Sequence, residues 1–388
     1  MFPTRYINLD AARATFGDRV DRLGPFLLRT DPLADAAVEA MAGIERGGGF
    51  ALLDRMLASS EVDPSAPPAM RAFIEETARV PAWVDWPTVD RAGSVLHRAG
   101  ILGGLVLGAF SLPLGYAAPG GNKPLVFSGR LTDQAPRRLS ETSRFVQAVS
   151  LPGGMRRGAD GFRITLKVRV MHAHVRRMIL RSGKWDEATW GVPINQHDMA
   201  ATTLLFSAVL LEGLRRFGLE IEHEEAERYM HLWRYVGYLS GVDPELSCGS
   251  ELEGTQLGNL IQATQGPPDD DSRALVQALV RSPLAAVRDP KQARGARMRY
   301  NVGRGLMRSL LGVELADKLG LGPTPWESVM GVFRTAGTLG DRAVKLSPTV
   351  RQKAVTAGEK YWDEVVRIGL AGGPYEFRPQ EKLTRVPI

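Results

Sequence analysis

His172 is the residue around which chemistry is most readily built. It stands inside Phe162–Ser182, a stretch with neither Gly nor Pro. Its helix formers predict a helix, although Val168, Val170 and Val175 leave a strand possible locally. On a helix, Arg169 and Arg176 share a face with His172, one turn to either side. One imidazole between two guanidiniums suits a flat ligand with a metal centre and an anionic edge. Haem is such a ligand: the imidazole takes the iron and the arginines pair with the propionates. The plainer alternative is a cationic helix that shows its charges to water and buries a neutral histidine.

A second face lies upstream. Arg138, Glu141, Thr142, Phe145 and Val149 recur at helical spacing, with polar groups at one end and apolar ones at the other. A pocket wall has this composition; so does a wet surface carrying an Arg138–Glu141 pair. Other candidates are weaker. His174 lies on another face of its helix from His172. His197 sits at a helix start where Asn195 and Asp198 read as caps. Glu220–His223 is the lone Glu-x-x-His spacing, too little for a di-iron bundle. Cys248 reads as a small structural residue.

The elements that must position these residues are helical. Asp31-Pro32 predicts a helix start, with Leu33–Glu45 following. Thr132-Asp133 predicts the start of the Arg138 helix, which runs to about Val149. Further helices are expected over 200–217, 222–240, 251–264, 272–280, 324–336 and 350–368. No alternating pattern and no internal repeat appears, so the class is all-α. Ile101–Asn122 is uncharged, but Pro113 and its glycines favour a buried helix and a turn over a stable membrane span.

Composition bounds the rest. The chain has 388 residues, 44% hydrophobic and 24% charged, enough for a sizeable core. Its net charge of +6 is spread among acidic residues and argues for no nucleic-acid partner. The cationic run Arg281–Arg308, with Asp289 its lone acid, is expected to be a solvated face. A single Cys248 fits a reducing compartment. With no export signal in the first residues, a cytoplasmic location is expected.

Four segments in order resemble one family. They are Arg138-Leu139-Ser140-Glu141-Thr142, Val168–Arg176, Gly191–Thr202 and Leu232–Val242. The series resembles the oxygenase family that contains the latex-clearing rubber oxygenases and the MpaB oxygenase of mycophenolic acid synthesis. The resemblance implies a globin-like helical core around haem b, with additional flanking helices. It makes His172 the proximal iron ligand and puts Arg138 and Thr142 on the distal side. Rubber oxygenases carry Arg-x-x-Lys-Thr there, and Glu141 stands here at the lysine position, so lysine ligation of iron is not carried over. The implied activity is dioxygen-dependent cleavage of a C=C bond in an isoprenoid or other apolar substrate. Residues 1–87 would be an N-terminal helical extension, 88–246 the haem-binding core, and 247–388 a C-terminal helical region packed on it. A non-catalytic haem or apolar-ligand carrier is the alternative.

Overall fold

A computed structural model describes residues 2–45, 48–59, 62–128, 130–287 and 289–369; the side chains of 128, 130–136 and 138 are outside the description. Among the described residues every regular element is a helix. Ten of them position the site: α1 (Pro32–Ala42), α2 (Ser94–Ala99), α3 (Pro119–Ser128), α4 (Arg130–Ser150), α5 (Asp160–Arg181), α6 (Gln196–Phe206), α7 (His223–Leu239), α8 (Asp270–Ala285), α9 (Val329–Lys345) and α10 (Pro348–Gly369).

The 22-residue α5 is the hub, packing on α1, α3, α4 and α7. Its Leu166, Val170 and Ala173 are buried in the main apolar cluster. That cluster draws on all three stretches of chain: Phe73 before residue 87, Leu166 and Trp233 in the middle, and Leu306 and Trp362 towards the end. The C-terminal helix α10 packs on α2 and α4, both of the middle stretch.

Local chemistry explains the helix ends. The Asp31 carboxylate caps α1 by accepting from the Ala34 N–H at 3.3 Å, with Pro32 in the first turn, where its missing N–H costs nothing. Asn195 caps α6 through the Asp198 N–H at 2.9 Å. Thr324 and Glu327 form a reciprocal capping box before α9. Several expected boundaries move: α4 begins at Arg130, so Thr132 and Asp133 lie within its first turn, the helix expected over 200–217 breaks at Ser207, and the one expected over 324–336 runs on to Lys345 after a 3-10 turn.

The uncharged segment is helical over Ile101–Tyr116, with a π-type turn at Leu107–Ser111 just before Pro113. Proline cannot donate to the preceding turn, and the wider turn accommodates that loss without ending the helix. Among the described residues no single helix is long and apolar enough to cross a membrane. Trp86–Ala99 and Ile101–Tyr116 meet that test only together, across a bend of 87°.

Candidate functional site

α4 and α5 form an antiparallel pair whose register is set at one end. A Cβ added at Gly161 would lie 2.6 Å from the Ala148 carbonyl oxygen, so only glycine lets the helices approach there. Arg144 and Asp160 form an ion pair at the same end. Equal rise along both helices then brings His172 level with Arg137 and Arg138, about three turns away. The two segments singled out in the sequence therefore lie on packed neighbouring helices.

His172 is half-buried. Its neighbour Met171 packs against an apolar group formed by Phe127 of α3 with Val175 and Ile179 of α5. Thr142 and Glu141 are also half-buried, and Glu141 accepts from Arg137 Nε at 3.0 Å. The intrahelical partner among the described side chains is Arg137, at i−4. The side chain of Arg138 lies outside the described residues; its backbone belongs to α4.

The arginines beside His172 have specific protein partners. Arg169 donates to both oxygens of Asp31, at 2.6 and 2.8 Å, and to the Leu239 carbonyl at 3.4 Å. Arg176 pairs with Asp35 and donates to the Pro193 and Ile194 carbonyls at 3.0 and 2.7 Å. Both are buried. Each guanidinium thus spends three of its five donors on protein acceptors. Asp31 and Asp35 are one turn apart on α1, and Arg169 and Arg176 two turns apart on α5. The arginines clamp α5 to α1 on either side of His172.

Arg176 also holds a strained turn. Ile194 has φ +53°, a left-handed conformation that a β-branched residue rarely adopts. Both carbonyls around it bond to Arg176, and Asn195 then starts α6.

An apolar wall extends from α4. Phe145, one turn beyond Glu141 and Thr142, packs edge-on against Phe206 and Trp233 at 6.3 and 5.9 Å between ring centroids. Phe206 and Trp233 stack at 5.4 Å and 15°. Trp233 in turn walls a narrow crevice shared with Ser207, Met230 and Cys248. Burial pushes the Cys248 thiol up to about 11, so it is a neutral thiol at physiological pH. The sequence did not signal Phe206 or Trp233 as site residues, since apolar aromatics on helices are ordinarily core.

Other histidines have structural settings. His197 is buried beside Asp198, 3.2 Å from Nδ1 to Oδ1, and Asp198 pairs with Arg5 at 2.6 Å. Despite burial, Arg5 leads the influences that hold the Asp198 carboxyl down at about 2. Among the described residues no group of three or more His, Cys, Asp or Glu side chains could hold a metal ion. A metal here would depend on a single protein ligand within a larger cofactor. The donor set at His172 fits that case: one imidazole, half-buried, beside apolar Met171 and Val175.

This is an all-helical protein built on an antiparallel helix pair, with one braced histidine at its centre. The chain belongs to the ER-bound oxygenase mpaB/B'/Rubber oxygenase family, whose catalytic-domain model matches residues 86–340. It is similar to the rubber oxygenase of Streptomyces sp. (strain K30), 26% identical over 226 residues, 55% of this chain and 54% of the relative. The chain thus spans about half the length of that curated relative. It also resembles the solved structure of latex clearing protein LCP in the closed state, with a TM-score of 0.69 over 87% of this chain and 91% of that one. Identity there is 21%, and the likeness is one of fold.

Proposed function

We propose that the chain is a haem b-dependent oxygenase that uses dioxygen to cleave a C=C bond in an apolar, isoprenoid-like substrate. Membership of an oxygenase family supports the general class. The observation that carries the finer reading is His172 itself, a half-buried imidazole on the hub helix, clamped on both sides to α1 and level with the Arg138 segment of α4.

Haem, when bound, supplies the dioxygen chemistry, with His172 as its protein ligand. The protein's own contributions follow from the two helices. Arg169 and Arg176 fix the axial position and rotation of α5, and so the direction of the imidazole. The Thr142 hydroxyl and, by its place on α4, Arg138 are the assigned donors on the opposing side. The Glu141 carboxylate, held by Arg137, is the group assigned to move a proton. Phe145, Phe206 and Trp233 provide an apolar wall that excludes water and suits a hydrocarbon chain.

The test is an absorption spectrum of the purified protein, oxidised and reduced, with a pyridine haemochrome assay, for the native chain and His172→Ala. A haem b spectrum lost in the variant, with oxygen uptake on prenyl substrates, is the expected result. Haem content and activity retained by His172→Ala would overturn the assignment. Haem binding without any oxygen uptake would favour the carrier alternative.

A further inference from the structure

α10 runs along the helix that carries Glu141 and Thr142. Its inner side is Gly358, Trp362, Val366 and Gly369, a helical spacing, and the first three are buried. Gly358 fixes the register against α2: a Cβ there would strike the His97 carbonyl, so backbone meets backbone. Trp362, 1% exposed, anchors the next turn in the main apolar cluster. Near the start of the helix, Arg351 pairs with the buried Glu225 of α7 at 2.9 Å. α10 is therefore pinned along its length before its last turn reaches α4.

Two contacts with α4 follow from that register. Asp363 accepts a hydrogen bond from Gln147, which is buried. Further on, Gly369 lies directly on Ser140. The three atoms nearest to the place of a Gly369 Cβ all belong to Ser140, and the Ser140 Cβ would be 2.8 Å away. α10 advances from 363 to 369 while α4 goes back from 147 to 140, about 9 Å against about 10.5 Å at the rise of a helix. The two helices are antiparallel and in step. Ser140 and Gln147 share one side of α4. Ser140 is buried and directly precedes Glu141 and Thr142. The family model ends at residue 340, before α10 begins, so this support comes from outside the matched residues.

We infer that Gly369 and Ser140 are positioning residues for the Glu141–Thr142 segment. The inference rests on the oxygenase reading of that segment. The other ties of α4 named above lie nearer its C-terminal end, at Gln147, at Arg144 with Asp160, and at Ala148 under Gly161. Arg137, which holds Glu141, is on the same helix and moves with it. Of these ties the Gly369–Ser140 contact is the one next to the carboxylate and hydroxyl assigned to the chemistry. A side chain at 369 would force α10 and α4 apart by about the width of a methyl group. A displacement of that size at reacting groups costs rate more than stability.

Gly369→Ala in the haem-loaded full chain tests this, beside the size-swapped double variant Gly369→Ala with Ser140→Gly. Gly369 is the last residue of α10 and otherwise exposed, so haem content and melting temperature should hold in Gly369→Ala. Its kcat on a prenyl substrate should fall roughly tenfold or more with KM little changed. The double variant returns the room that the methyl group takes, and should recover most of the lost kcat. Amide hydrogen exchange over 137–145, measured on haem-free protein, should be faster in Gly369→Ala than in the native chain. Native kcat and native exchange in Gly369→Ala, or a double variant no more active than Gly369→Ala, would overturn the inference. A protein that takes up no haem overturns the oxygenase reading instead, and the exchange comparison then decides alone whether Gly369 holds this segment.

Discussion

Arg169 and Asp31 meet as a bidentate ion pair, at 2.6 and 2.8 Å, with both side chains buried to about nine-tenths. The pair joins the His172 helix to the first turn of α1, and Asp31 is at the same time the cap of that helix. One carboxylate therefore serves two elements. Removing it leaves a buried guanidinium uncompensated and a helix end uncapped. Asp31→Ala is expected to cost about 3–5 kcal/mol for the broken buried pair, with ~1 kcal/mol from the lost cap. Replacing both partners, by Asp31→Asn with Arg169→Met, should be milder than Asp31→Ala alone. Chemical denaturation of the single and double variants measures this, and equal or greater loss in the double variant would contradict it.

The arginine clamp shows where the sequence was readable. The all-helical class, the Asp31-Pro32 start, the Thr324 cap and the hub helix follow from local spacing and capping chemistry, which act within a few residues. The face shared by Arg169, His172 and Arg176 was equally visible. Their partners were not, because Asp31 precedes Arg169 by 138 positions and nothing local ties the two. A guanidinium near a suspected cofactor therefore read as a ligand contact alone, and its bracing role was invisible. Phe206 and Trp233 were hidden for another reason: an aromatic that closes a pocket and one that fills a core look alike until the helices are assembled.

Glu141 offers a direct test of the oxygenase assignment. It lies one turn from Phe145 and is held by Arg137 at 3.0 Å. If its carboxylate moves a proton during turnover, Glu141→Gln should lower kcat by about 10²-fold or more while keeping haem content and fold. The half-exposed Arg137–Glu141 pair contributes at most a few tenths of a kcal/mol to stability, so the melting temperature should barely move. Oxygen uptake and the haemochrome assay on the same sample separate the two effects. Unchanged kcat would remove Glu141 from the chemistry.

Arg176 and the Ile194 turn make a paired prediction. Glycine adopts a φ of +53° without the steric penalty that isoleucine incurs. Ile194→Gly should therefore relieve local strain of order 1–3 kcal/mol, against the lost burial of a half-exposed side chain. Its net effect on stability should be small. Arg176→Met, by contrast, removes three donors from buried carbonyl and carboxylate partners and should cost several kcal/mol. Thermal melts of the two variants check the contrast. A large loss in Ile194→Gly would mean that its packing outweighs the strain.

His97 makes the fold sensitive to acid. It is buried on α2 beneath α10, its carbonyl in close contact with Gly358, and its Nε2 has no hydrogen-bond partner among the described residues. Burial pushes its pKa down to about 4, opposed by the nearby Asp363 carboxylate; Glu359 is also close, with Oε1 3.8 Å from Nδ1. Below the ordinary value of 6.5 the unfolded chain takes up a proton that the folded chain refuses until about pH 4. Stability is therefore fully present above pH 6.5 and declines as pH falls towards 4, by up to ~3 kcal/mol. Because His97 lies under α10, that helix should loosen first, seen as faster amide hydrogen exchange in 348–369 at pH 5 than at pH 7 after correction for intrinsic rates. His97→Phe, which cannot titrate, should flatten the pH dependence in this window. A native protein with equal stability at pH 5 and pH 7 would show that the buried imidazole is protonated in place, with Glu359 or Asp363 as its counter-charge.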